Sequence, residues 1–249
     1  EGSGGFLLGG FLLYFFGGRL RGFFLRRRLG GQEGGESEQS DDNSGKLHRM
    51  DCTRMGDLWK PGIGRRAFFL TGLAAWGQGW EPLFDGRSTA GWIAVNGGEF
   101  PAHSWKVEDG CLRTLVVKPT FQDIRTEREF EDFELAFEWK IAAGGNGGVK
   151  YLIDKYDSWM PKGVTAPWPQ ARARGYEYQL TDDARSAETK RDPSRGTASL
   201  YSKIAPEAPP LRAAGEWNES RIVVKRPVLE HWLKDRKSTR LNSSHITIS

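Results

Sequence analysis

The chain has 249 residues, room for one large domain or two small ones. Its formal net charge of +4 belongs to the flanks: residues 80–236 carry 23 basic against 24 acidic side chains, which argues against a nucleic-acid-binding face. With only Cys52 and Cys111, the chain has neither a disulfide framework nor a Cys/His cluster of the metal-binding kind.

Residues 1–49 are rich in Gly, Phe, Leu, Arg, Ser and Glu, and read as low-complexity, non-native or disordered sequence. Their apolar run, Phe6 to Phe16, has 11 residues and is too short to span a bilayer. Residues 50–79 resemble an export leader. Arg65-Arg66 precedes Ala67-Phe68-Phe69-Leu70 and a run of small residues, the twin-arginine pattern, with cleavage expected near Ala75 to Gln78. On that basis the protein is expected outside the cytoplasm, periplasmic or extracellular, with no stable membrane insertion.

From Trp80 onward the period is two. Ser104–Val107 and Cys111–Val116 flank Glu108-Asp109-Gly110, a turn signal. Phe133, Leu135, Phe137, Trp139 and Ile141 alternate with Glu134, Ala136, Glu138 and Lys140, the pattern of a half-buried strand. Val149, Tyr151 and Ile153 repeat it after the connection Gly144-Gly-Asn146-Gly-Gly148. Tyr176, Tyr178 and Leu180 alternate with Glu177 and Gln179. Arg221–Lys225 and Val228–Leu233 read as a hairpin around Arg226-Pro227. No long helical period appears. The fold class is therefore all-β, a sandwich or jelly roll of two antiparallel sheets.

Two long irregular segments interrupt the strands, 156–175 with Trp159 and Trp168, and 182–214. Segments of this length are usually functional or disordered, and on a sandwich they could wall a cleft. Of the 10 Trp, 8 lie between Trp80 and Trp232. Core packing and sugar stacking both use such rings.

Glu138, Lys140, Glu177, Gln179 and His231 all sit in strands beside large apolar residues. Residues two apart share a face, so Glu177 joins Gln179, and Glu138 joins Lys140. If those faces coincide, two carboxylates, a Lys and a His line one surface, an acid/base set among aromatics. Polar side chains that merely meet solvent give the same pattern. Either His231 or Glu230 points inward, and the alternation does not say which. The glycine-rich connection is either a close backbone approach to ligand, with Asn146 bonding a hydroxyl, or a turn needing positive φ.

Several segments together carry a resemblance. They are Leu83-Phe-Asp-Gly86 with Gly91-Trp92, Trp105-Lys-Val-Glu-Asp-Gly110, Glu138-Trp139 with Gly144-Gly-Asn146, Gly175-Tyr-Glu-Tyr-Gln179, Gly215-Glu-Trp-Asn218 and Glu230-His-Trp-Leu233. In this order they resemble the 3-keto-disaccharide hydrolase domain, a bacterial carbohydrate-active family with a concanavalin-like jelly-roll sandwich. The resemblance covers about residues 80–236 and implies a carbohydrate substrate, cleaved at the glycosidic bond of a 3-keto sugar. A C3 ketone acidifies the C2 proton, so elimination and rehydration would give net hydrolysis. That chemistry needs a base (Glu177 or His231), an enolate stabiliser (Lys140 or a divalent cation) and an assisting acid (Glu138). Asn146, Gln179, Trp159 and Trp168 are the expected sugar contacts. A non-catalytic carbohydrate-binding module on the same sandwich is the alternative.

Two departures stand out. Gly147 follows Asn146 where the family commonly has Ser. The family's terminal strand after Glu230–Leu233 is replaced by residues 237–249, which resemble a translated sequencing adapter, so an open sheet edge is expected.

Overall fold

The computed structural model describes residues 12–27, 79–115, 121–158, 171–207 and 210–242. It is built of antiparallel strands: β1 (Leu12–Arg27), β2 (Trp80–Pro82), β3 (Trp92–Ala94), β4 (Trp105–Glu108), β5 (Cys111–Thr114), β6 (Ile124–Thr126), β7 (Phe133–Ser158), β8 (Ala171–Thr181), β9 (Asn218–Lys225), β10 (Val228–Leu233) and β11 (Arg236–Asn242). One short helix, α1 (Ala187–Arg191), lies between β8 and β9. The expected hairpins form. Asp109 (φ 52°) and Gly110 (φ 70°) make a two-residue turn between β4 and β5, and both left-handed residues suit the strand twist. Arg226-Pro227 joins β9 to β10.

The hydrogen-bonded path is continuous, but β7 folds it into two antiparallel layers. The first half of β7, Phe133–Trp139, pairs with β9, and its second half, from Asn146, pairs with β8. Between them Gly144 takes φ 69°, which a side chain rarely adopts. The two halves then face each other across the core. The Phe133 ring lies 6.1 Å from that of Tyr151, and Phe137 lies 5.7 Å from Tyr178, both edge-on. Core-facing rings alternate with outward side chains, so the sandwich carries two exteriors, one per half of β7.

The N-terminal segment corrects the sequence reading. Residues 12–27, expected to be disordered or non-native, form β1 in the middle of the sheet, bonded to β7, β5, β6 and β2. Leu20, Phe23 and Leu25 are fully buried. The Phe23 ring stacks on Phe137 at 5.6 Å and meets Trp92 edge-on at 5.5 Å. The glycines that gave the low-complexity impression fall at register shifts against β7, with Gly22 at φ 61°. The apolar positions they separate are those a two-faced strand needs. A cut anywhere between Arg27 and Gly79 would detach β1 covalently. The leader-like segment 50–78 lies outside the described residues.

The C-terminal side differs as well. Residues 237–242, the start of the segment expected as an extraneous tail beyond an open edge, join Arg236 in β11 and pair with β10. Ser238 is buried and its Oγ hydrogen-bonds at 3.1 Å to the carbonyls of Ala198 and His231.

The buried aromatics satisfy their polar atoms. Trp92 and Trp105 donate their indole N–H to the carbonyls of Leu83 and Gln122, each at 2.9 Å. Trp139 Nε1 donates to Ser220 Oγ at 2.8 Å, and Tyr178 Oη donates to the Trp232 carbonyl at 3.1 Å. With its one proton so used, Tyr178 accepts from Ser220 Oγ at 2.8 Å. His231 is fully buried in this core. Its Nδ1 lies 3.0 Å from the Ser199 carbonyl, which only accepts, so Nδ1 carries the proton. Nε2 then accepts from Tyr151 Oη at 2.8 Å. Burial depresses His231 to about 3, against weaker opposing contacts from the backbone at Ala198 and Ser199.

Two consequences are measurable. Phe23→Ala should lower unfolding free energy by about 3–5 kcal/mol in a denaturant titration. A loss below about 1 kcal/mol would place β1 outside the core. His231 folds neutral, with a folded value below its unfolded value of 6.5, so its contribution is complete above that value. It is lost as pH falls from 6.5 towards 3, by up to about 1.4 kcal/mol per pH unit. The stability difference between wild type and His231→Gln should therefore shrink across that window, and a constant difference would contradict the buried neutral imidazole.

Candidate active site

Alternation along β8 puts Tyr176, Tyr178 and Leu180 into the core and Glu177 and Gln179 on the exterior of their layer. Register then supplies their neighbours. Lys150 lies directly opposite Glu177, Gly148 opposite Gln179, and Asn146 opposite Thr181. The β8 side chains lean diagonally across β7. Gln179 Nε2 donates to Asn146 Oδ1 at 2.8 Å. The Glu177 carboxylate lies over Gly148, where an added Cβ would come within 2.7 Å of Glu177 Oε1. Gly148 is thus a seat for the carboxylate, and Gly144 is the turn residue. Gly144 thus bears out the positive-φ turn, while Gly148 makes room for a side chain of the neighbouring strand.

Lys150 Nζ lies 3.8 Å from Glu177 Oε2 and donates to the Ala173 carbonyl at 3.2 Å. The third charged member is Asp123, just before β6. Ile124 is buried in the core, so Asp123 and Arg125 project to the exterior. Burial pushes the Asp123 carboxyl up to about 7. The positive charges of Lys150 and Arg172 oppose that rise, and the negative Glu177 adds to it. Its remaining surface exposure leaves it half-buried. An acid poised near neutrality beside a carboxylate and an ammonium is the arrangement proton transfer requires.

The segment after β8 walls this face. Asp182 Oδ2 accepts the Gly144 N–H at 2.8 Å and pairs with Arg185 Nη1 at 3.0 Å. The Gly144 N–H holds the Asp182 carboxyl below its usual range. Ser186 caps α1 by accepting the Thr189 N–H. The chain then returns along the free edge of β8. Ala198 N–H donates to the Gln179 carbonyl at 2.9 Å, and Tyr201 N–H to the Glu177 carbonyl at 3.0 Å. Ala198 (φ 66°) and Ser202 (φ 58°) bracket this stretch in the left-handed region, strain that the flanking hydrogen bonds hold in place. Tyr201 lies near enough to Glu177 and Arg172 for their charges to act on its hydroxyl, which burial pushes up. Of the two irregular segments, 182–214 thus runs along the edge of β8 beside this face.

Not every expected residue joins this face. Glu177, Gln179 and Asn146 come together. His231 does not: it points to the opposite side of β8, inside the core, where it bonds Tyr151 Oη and its ring centre lies 4.7 Å from that of Tyr178. Glu138 and Lys140 do not either. Glu138 follows Phe137, whose ring faces Tyr178 across the core, so Glu138 and Glu177 project from opposite exteriors. There Arg21 of β1 pairs with Glu138 and lies 4.0 Å from the centre of the Trp217 ring, which Lys140 Nζ approaches at 5.0 Å. Those charges fasten β1 to β7. Trp159 and Trp168 lie outside the described residues.

Sequence reasoning missed Lys150 and Asp123. Lys150 continues the Val149–Tyr151 alternation and was legible as an outward residue. Nothing local marked Asp123. A separate open depression of about 590 Å3, lined by Arg87, Glu99, Phe100 and Lys106 among others, contains none of these groups. Among the described residues no cluster of three or more His, Cys, Asp or Glu could hold a metal ion. No described helix is long and apolar enough to cross a membrane.

Comparison with known proteins gives this face a context. A crystal structure from Parabacteroides distasonis, of a protein assigned only provisionally as a glycosyl hydrolase, superposes with a TM-score of 0.50 at 30% identity, covering 66% of this chain and 72% of that one. A curated relative from Bacteroides thetaiotaomicron, named 3-keto-disaccharide hydrolase, is 30% identical over 174 residues, 64% of this chain. The chain spans 57% of that relative's length. The profile of the 3-keto-alpha-glucoside-1,2-lyase-like domain matches residues 79–247, and the chain belongs to that family.

Proposed function

We propose that this protein cleaves 3-keto glycosides, disaccharides among them, at the glycosidic bond, on the exterior face of β7 and β8. The observation that carries the reading is the meeting of Glu177, Lys150 and Asp123 on one face, with Asn146 and Gln179 beside them. The name of the curated relative supports the substrate class.

Glu177 is the base. It takes the C2 proton, which the C3 ketone acidifies, and leaves an enolate whose oxygen faces the Lys150 ammonium. Collapse of the enolate breaks the C1–O bond, and Asp123 in its acid form protonates the departing oxygen. Water then adds across the C1–C2 double bond. Its hydroxyl joins C1, its proton restores Asp123, and C2 is reprotonated from Glu177, whose acid proton exchanges with solvent before rehydration. The net reaction is hydrolysis. Asn146 and Gln179, paired with each other, are the amides beside the reacting groups that would meet sugar hydroxyls.

Glu177→Gln preserves shape and removes the base. It should lower kcat on a 3-keto disaccharide by ~10²–10⁴-fold while saturable binding in calorimetry persists. Retained turnover would remove Glu177 from the mechanism. Binding without turnover by the wild type would instead make the face a carbohydrate-binding site. The acid role of Asp123 sets a pH limb: kcat should fall as pH rises through about 7, because the proton needed by the leaving oxygen is gone. Asp123→Asn should be slower throughout and lack that limb, and a limb that survives the substitution belongs to another group.

A further inference from the structure

The exterior face that carries Glu177 continues along β8 towards its N-terminal end, beyond the reacting groups. Tyr156 of β7 lies directly opposite Ala173 of β8. Opposed residues share a face, and Ala173 is four residues from Glu177, so Tyr156 and Glu177 project from the same side. The separation along the strand is about 13 Å at ~3.3 Å per residue, the scale of two linked pyranose rings. Tyr156 is the one large hydrophobic residue exposed among those described, with 39% of its surface accessible.

The ring is held rather than loose. The Arg125 guanidinium carbon lies 5.6 Å from its centre, a cation–π contact. Arg125 itself projects from β6 on the same exterior face as Asp123. Ala173, opposite Tyr156, joins Val95 and Ile153 in a small buried apolar cluster of their own, separate from the main core. Lys150 ties the two ends together, since its ammonium reaches both Glu177 and the Ala173 carbonyl. An exposed, positioned aromatic on the same sheet face as an acid/base set offers its apolar π-surface to the C–H face of a sugar ring.

We infer that Tyr156 is a stacking platform for the second sugar of a disaccharide, the leaving-group ring, and so sets preference for disaccharides over glycosides with small aglycones. This rests on the proposed cleavage of 3-keto glycosides at Glu177. With the Tyr156 ring under the leaving sugar, the scissile bond sits between platform and carboxylate, and the 3-keto ring lies against the Glu177 carboxylate. A glycoside with a methyl aglycone never reaches the platform.

The test compares the full chain with Tyr156→Ala and Tyr156→Phe on a 3-keto disaccharide and on a methyl 3-keto-glucoside. Tyr156→Ala should raise the ratio of the two KM values (disaccharide over methyl glycoside) by about 5- to 10-fold, with kcat on the disaccharide held within about twofold. Tyr156→Phe, which keeps the ring, should restore the wild-type ratio. A ratio unchanged by the alanine variant, or not restored by phenylalanine, overturns the platform. A wild type that turns over neither substrate sinks the activity at Glu177 instead. In that event calorimetry with the same two sugars decides: selective loss of disaccharide affinity in the alanine variant upholds the platform, and equal affinities overturn it.

Discussion

The hydrogen bond from the Gly144 N–H to the Asp182 carboxylate organises much else in this molecule. Gly144 is where β7 leaves one layer for the other, and Asp182 is the first residue beyond β8. The contact therefore pins the fold-over of one strand to the end of its neighbour, and Asp182 N–H returns a bond to the Gly145 carbonyl at 3.1 Å. Because the strand folds over there, Phe137 and Tyr178 meet in the core. Glu138 and Glu177, each one residue away, are then sent to opposite exteriors. The separation of a β1-fastening charge cluster from a chemical one follows from this single turn.

The two titratable groups shifted most clearly across neutrality belong to different worlds. His231 is depressed by burial and satisfied on both ring nitrogens, so it stays neutral and acts as a core hydrogen-bonding residue. Asp123 is raised by burial on a face that also holds Lys150 and Glu177, with the Arg172 charge in reach. Opposite charges oppose its rise without cancelling it. The result is a carboxyl that exchanges its proton near pH 7 among groups of both signs. A buried histidine is the usual first suspect for proton transfer, but here the outward carboxyl has the better position.

Much of the fold was legible because most of its strands are amphipathic. Phe133–Ile141 and Tyr176–Leu180 name their inner faces by alternation alone, and Asp109-Gly110 names a hairpin. Pairing was not legible. Whether Glu138 shares a face with Glu177 depends on a fold-over at Gly144 that has no period, and whether His231 or Glu230 points inward depends on Tyr151 and Ser199, far away in sequence. Asp123 escaped because it precedes a three-residue strand too short to show a pattern. The N-terminal segment misled for a compositional reason: glycines at register shifts look like low complexity until the apolar residues between them are seen to fill core positions. Lys150 and the glutamine–asparagine pair needed only the register of β7 against β8.

The central claim is that this outward face breaks a glycosidic bond by removing the C2 proton of a 3-keto sugar. Turnover in deuterium oxide tests it most directly. The protein would be mixed with a 3-keto disaccharide, and the released 3-keto monosaccharide read by mass spectrometry at early times, against the same monosaccharide incubated with the protein alone. Elimination and rehydration predict one deuterium at C2 of the newly released sugar, above the level reached by exchange of the free product. Release of a sugar that keeps its original C2 hydrogen would mean direct displacement at C1, and would contradict the account.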